Sequence, residues 1–203
     1  MRKFFTFILI GLLVSAFPGE ISNQLLIHQS ARAFWITMLS YVWFLALGFG
    51  VGRLLDWAFG AKFPSRLTYF FLYGCVGLMI EWFLLGVYPL QPNPVQLMMF
   101  TFWASMMLTP RIFIDEPATE ELNAIRRGIL RYIVIWSAIS LLPFVITALF
   151  IRNHMAGPRA FSILVFGVGA LGMNYYFYRY FRLLKSQTRS VSGFPVVSTD
   201  QCR

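Results

Sequence analysis

Six apolar runs constrain the fold of this chain more than any other feature of its sequence. The run AFWITMLSYVWFLALGFGVG at residues 33–52, for example, contains no charged side chain. A helix of about twenty apolar residues spans the roughly 30 Å of hydrocarbon in a bilayer. The runs are apolar on every face, whereas the strands of a membrane β-barrel alternate apolar and polar residues. The sequence therefore predicts an all-α, polytopic transmembrane helix bundle.

The low content of charged residues supports the same class of protein. Only 12% of the residues are charged and 58% are hydrophobic, whereas soluble domains carry about 25% charged residues. A net charge of +9 would suggest nucleic acid as the partner of a soluble domain. Here the cations lie mainly between the apolar runs, where they orient a membrane protein. We therefore expect the lipid bilayer as a partner, and no nucleic acid.

The runs divide the chain into a transmembrane domain, residues 1–186, and a polar, flexible tail, residues 187–203. The predicted spans cover residues 4–17, 33–52, 67–87, 95–108, 132–151 and 160–181. The first run is short and follows two cations, so it also fits a signal peptide, whose removal would leave five spans. Acidic residues at the start and arginines at the end predict an amphipathic helix at about 116–130, before the fifth span.

The cations are distributed unequally between alternate connections. Of the 17 lysines and arginines, 14 lie on the segments that include both termini, and three lie on the other segments. The positive-inside rule places the cation-rich connections of a membrane protein in the cytoplasm. We therefore expect both termini and the amphipathic helix to be cytoplasmic, and the protein to be a multi-pass protein of a bacterial inner membrane.

The third run contains one carboxylate, Glu81, within the stretch GCVGLMIEWFLLG. Gly74, Gly77 and Glu81 share one helix face, and glycines let neighbouring helices approach closely. Glu81 is therefore predicted to point into the bundle. An intramembrane carboxylate marks an ion or proton path, or it is a protonated acid whose hydrogen bond locks the packing. Hydroxyl donors predicted at a similar depth are Thr37, Tyr41, Thr101 and Thr147.

Two further glycines, Gly48 and Gly52, form a small-xxx-small pattern in the second run. This pattern is typical of close helix contacts in membranes. It predicts internal packing or, as the alternative, association with a second copy or with another membrane protein.

The sequence contains no HExxH motif, no P-loop and no G-x-S-x-G elbow. We therefore predict no catalytic residue, no metal site and no cofactor.

Three functions are compatible with these features. The favoured hypothesis is a non-catalytic assembly, accessory or lipid-interacting membrane component. The first alternative is a small proton-coupled transporter or channel that uses Glu81. The second alternative is a membrane-embedded lipid-modifying enzyme, in which Glu81 would act with the connection acids Asp115, Glu116, Glu120 and Glu121.

Overall fold

The described residues of the computed structural model are 1–15, 20, 24, 30–60, 63–86, 94–150 and 156–192, and they form six α-helices. The helices are α1 (Arg2–Ser15), α2 (Ala31–Phe59), α3 (Phe63–Leu85), α4 (Pro94–Ile114), α5 (Glu120–Phe150) and α6 (Ala156–Ser192). The predicted all-helical class is confirmed.

Within the part of the chain that the structure describes, three helices are long and apolar enough to cross a membrane. They cover residues Ala31–Phe59, Phe63–Phe83 and Gln96–Ile114. On the first of them, Trp35 and Trp57 are 64% and 83% exposed, and about 22 residues separate them, or roughly 33 Å of helix. That distance matches the thickness of bilayer hydrocarbon, and tryptophans collect at its two interfaces. These features indicate a membrane protein.

Several helices continue beyond the predicted spans. The second helix extends through Asp56, and the fourth extends through Arg111. The predicted amphipathic helix at 116–130, from Glu120 onward, and the predicted span at 132–151, as far as Phe150, are parts of one helix, α5. The last helix reaches Ser192, inside the predicted tail. A charged residue ends an apolar run, but it does not end a helix when its charge is paired or exposed.

The centre of the bundle is α4. Every residue from 101 to 112 is buried, and α1, α3 and α6 all pack against this helix. The remaining helices lie further out, because α2 packs on α1 and α3, and α5 packs on α6. A helix that is apolar on all sides is expected in such a central position.

Four glycines singled out in the sequence lie at contacts inside the bundle. A Cβ at Gly74 would overlap the ring of Phe100, and a Cβ at Gly77 would overlap the ring of Trp103. Gly48 lies against Met107, and Gly52 lies against Arg111 and Tyr69. These glycines therefore let side chains of α4 approach the backbones of α2 and α3.

The contact between α3 and α4 can be tested at Gly77. We expect Gly77→Ala to destabilise the protein by about 1–3 kcal/mol, because overpacking forces rings and backbone apart. The control is Gly50→Ala, since a Cβ there meets nothing within 4 Å and alanine favours a helix by about 0.8–1 kcal/mol over glycine. Thermal unfolding in detergent measures both variants, and equal effects would contradict the packing described here.

Candidate functional site

Two clusters of polar side chains lie inside the bundle, near opposite ends of the antiparallel pair α2 and α3. The first, here called the glutamate cluster, consists of Glu20, Tyr41, Glu81 and Trp103. The second, here called the arginine network, consists of Asp56, Arg66, Arg111, Asp115 and Glu116. The glutamate cluster involves the first half of α2 and the last turns of α3, whereas the arginine network involves the last turns of α2 and the first turn of α3.

Glu81 meets an indole rather than a hydroxyl. Its Oε1 atom accepts a hydrogen bond of 3.1 Å from Nε1 of Trp103 on α4. The indole can reach Glu81 because Gly77, one turn earlier on α3, has no side chain in the way of the ring. The spacing of the glycines indicated the face of α3 on which Glu81 lies, but not the donor on the neighbouring helix.

Among the described residues, none of the hydroxyls proposed as partners of Glu81 forms a hydrogen bond with it. Thr101 donates to the carbonyl of Leu97 at 2.8 Å and accepts a bond of 3.2 Å from the amide of Asn174. Thr37 is half-buried, and within the described part of the chain no hydrogen bond joins it to Glu81. The side chain of Thr147 lies outside the described residues.

The fourth candidate, Tyr41, binds a second glutamate. Its hydroxyl donates to Oε1 of Glu20 at 2.7 Å. Glu20 is only 8% exposed, and its Oε2 atom is buried with no hydrogen-bond partner among the described residues. Burial raises the pKa of the Glu20 carboxyl, while side-chain hydrogen bonds with Tyr41 and Gln24 oppose that shift.

The two glutamates are joined through an aromatic pair. The rings of Tyr41 and Trp103 meet edge to face, with 5.7 Å between their centroids, and each ring holds one carboxyl group by a hydrogen bond. Chemically, this arrangement can bind a proton, since a buried carboxyl favours its neutral form. In the described residues, no group of three or more potential metal ligands is present.

The arginine network centres on Asp56, at the end of α2. Its carboxylate accepts a hydrogen bond of 2.6 Å from Ser65 and forms ion pairs with both Arg66 and Arg111. Gly60 has a φ of 70° and terminates α2. This left-handed conformation suits glycine, and Ser65 and Arg66 at the start of α3 lie beside Asp56.

The two arginines are also paired with acids that follow α4. Nε of Arg66 lies 2.7 Å from Oε1 of Glu116, and Nε of Arg111 lies 3.0 Å from Oδ2 of Asp115. Glu116 additionally accepts a bond of 2.7 Å from the hydroxyl of Tyr180 on α6. The network thereby connects α2, α3, α4 and α6.

Both guanidinium groups are almost completely buried. The side chains of Arg66 and Arg111 are 1% and 2% exposed. Arg111 stacks on the ring of Tyr69 at 4.7 Å, and a Cβ at Gly52 would lie 2.9 Å from its Nη1 atom. Buried charges are tolerated when they are paired and hydrogen-bonded, and here each arginine faces two carboxylates.

An arginine of α5 donates hydrogen bonds to the end of α4 and to the segment that follows it. Arg126 donates to the carbonyl of Ile112 at 2.9 Å and to the carbonyl of Glu116 at 2.8 Å. The last carbonyls of a helix lack partners within the helix. This side chain therefore caps α4 and fixes the position of the two acids that follow it.

From the sequence, the arginines of this network are predicted only to orient the protein in the membrane, and no role is predicted for Asp56. The sequence feature that could have indicated this network is a single aspartate between the cations Arg53 and Arg66, next to an apolar run. Asp115 and Glu116 were candidates for catalysis in the enzyme hypothesis. The structure places both acids in ion pairs with buried arginines.

Comparison of the chain with protein-family models, with curated proteins and with solved structures found no match. We therefore infer the function from the geometry of the two clusters.

The network can be tested by removing its central charge. We expect Asp56→Asn to destabilise the protein by about 3–5 kcal/mol, because Arg66 and Arg111 each lose a charged partner while they stay buried. Glu120→Gln is the control, since Glu120 is exposed and surface changes usually stay within about 0.5 kcal/mol. Chemical unfolding in detergent compares the two, and an Asp56→Asn variant as stable as the control would refute the role of the network.

Proposed function

We propose that the protein is a non-catalytic membrane component, an assembly, accessory or lipid-interacting protein. The observation that carries this proposal is that the acids near the arginine network form ion pairs with arginines. Asp56, Asp115 and Glu116 are all paired with arginines from other parts of the bundle or one turn away. These ion pairs hold helices together. They also engage Asp115 and Glu116, two of the acids to which the enzyme hypothesis assigned a role.

Six membrane spans with both termini in the cytoplasm are part of the proposal. Besides α2, α3 and α4, the last two helices expose large apolar side chains, which suits contact with lipid. Examples are Val134 at 68%, Leu142 at 57% and Val168 at 58% exposure. The unequal distribution of cations supports the orientation and a bacterial inner membrane.

A proton-coupled transporter is the second candidate, and the glutamate cluster favours it. Glu20 and Glu81 approach one aromatic pair from two different segments, and one oxygen of Glu20 is buried without a partner in the described residues. Intramembrane carboxylates in such surroundings mark proton paths in many membrane proteins. The enzyme hypothesis has no comparable support.

Glu81→Gln separates the two candidates. The amide oxygen of glutamine can still accept the hydrogen bond of Trp103, so a packing role predicts nearly unchanged thermal stability. Glu81→Leu is the comparison variant, because it leaves the indole N–H without its acceptor and should cost about 1–3 kcal/mol.

Proton flux is measured in liposomes that contain the purified protein and a pH-sensitive dye. We expect wild-type and Glu81→Gln liposomes to behave like protein-free liposomes under an imposed pH gradient. A flux that the wild-type protein supports and Glu81→Gln abolishes would overturn the proposal in favour of the transporter.

A further inference from the structure

Two groups stand out among the cations of the described residues. Those of the arginine network, with Arg53, are paired with carboxylates. A second group lies exposed on the last two helices and consists of Arg127, Arg131, Arg179, Arg182 and Lys185. Among the described residues, none of these five takes part in an ion pair, and Arg179 stacks on the ring of Tyr175 at 5.9 Å.

The packing of α5 on α6 brings Arg127, Arg131 and Arg179 to neighbouring positions along the helix axes. The hydroxyl of Tyr132 donates to the carbonyl of Gly169 at 3.0 Å, and Gly128 lies against the ring of Tyr176. In this antiparallel register, Arg127 and Arg131 lie level with residues about 170–177 of α6. Together with Arg179, they occupy roughly 9–14 Å along the helix axes, which is about two turns.

Exposed apolar side chains continue from these cations along both helices. On α5 they are Val134, Ile135, Ile139 and Leu142, and on α6 they are Leu164 and Val168, each 45–68% exposed. The distance along α5 from Arg131 to Leu142 is roughly 16 Å. That is about half of the 30 Å hydrocarbon thickness, and therefore about the depth that the acyl chains of one leaflet occupy.

We propose that Arg127, Arg131 and Arg179 bind the phosphate headgroup of an anionic phospholipid, whose acyl chains lie along the exposed apolar side chains of α5 and α6. Guanidinium groups bind phosphate oxygens in bidentate fashion. Exposed Tyr175 and Tyr178 lie beside the cations, where aromatic rings favour the interface.

The apolar continuation favours a lipid over a soluble phosphate or an acidic protein, because neither of those would cover the exposed valines and leucines. This inference rests on the proposed embedding of α5 and α6 in the membrane, and it names the lipid that a lipid-interacting component would bind.

The test uses the full chain in a neutral detergent, with phosphatidylglycerol or phosphatidylcholine of identical acyl chains added in increasing amounts. Thermal unfolding reports binding, since a ligand of the folded state raises the unfolding temperature. We expect phosphatidylglycerol to raise this temperature at lower concentrations than phosphatidylcholine. Equal responses to the two lipids would overturn the proposal, and this comparison needs no variant.

The variant Arg127→Gln/Arg131→Gln/Arg179→Gln should weaken the response to phosphatidylglycerol at least about tenfold, because it removes the charge-assisted contacts. The matched control, Arg2→Gln/Lys3→Gln/Arg32→Gln, removes three exposed cations elsewhere and should keep the response. An unchanged response in the first variant, or an equal loss in the control, would contradict a localised site.

Two further additions identify the source of the anion. Inorganic phosphate and a short polyglutamate peptide should each leave the unfolding temperature unchanged at the concentrations at which phosphatidylglycerol acts. If either one reproduces its effect, the occupant is a soluble anion or an acidic protein, and the lipid assignment is wrong.

The embedding of α5 is measured separately. Ile139→Cys, in a chain whose own cysteines are replaced by serine, should be inaccessible to a water-soluble maleimide in intact vesicles. Labelling of this position would show that the six-span proposal fails, whereas protection together with equal responses to the two lipids would refute only the headgroup site.

Discussion

Two buried guanidinium groups impose the strictest requirement on this bundle. Removing a charge from water costs several kcal/mol, so a buried arginine, which keeps its charge, is tolerated where carboxylates and other hydrogen-bond acceptors surround it. Arg66 and Arg111 find their carboxylates on α2 and on the segment that follows α4. The helices must therefore meet in one arrangement at this end, because displacing any of them would leave a buried charge unpaired.

The glutamate cluster differs from the network in how completely its carboxyl groups are satisfied. Every carboxylate of the network accepts at least two bonds, whereas Glu20 keeps one buried oxygen without a described partner. Although Nη1 of Arg111 is buried without a hydrogen-bond partner among the described residues, a movement of the network would break several bonds at once. An incompletely satisfied carboxyl can gain a proton without breaking one. The first property suits a scaffold, and the second is the reason for testing proton flux.

The parts of the fold that follow from local sequence could be predicted. Long apolar runs predict helices and a membrane environment, and the spacing of Gly74 and Gly77 indicates the face of α3 that meets another helix. The ends of the helices could not be predicted in this way. Hydropathy assigns Asp56 and Arg111 to connections, while the structure keeps both in helices because their charges are paired across the bundle.

The contacts between distant segments could not be predicted from the sequence either. Depth in the membrane suggested four hydroxyls for Glu81, but it does not identify the neighbouring helix. The actual donor is Trp103, and Tyr41 lies close by while binding Glu20 instead. Such pairings depend on which helices are adjacent, and one sequence by itself carries no direct signal of adjacency.

The most direct test of the network is the coupling energy between Arg66 and Glu116, obtained from Arg66→Met, Glu116→Gln and the double variant. Contacting residues of one ion-pair network show coupling of about 0.5–3 kcal/mol. We expect a value in the upper half of that range, and a smaller one for the pair of Arg53 and Asp115, since the Arg53 side chain is 42% exposed and exposed pairs contribute about 0.2–1 kcal/mol. Single effects of Arg66→Met and Glu116→Gln that simply add in the double variant would show that the buried charges do not hold the helices together.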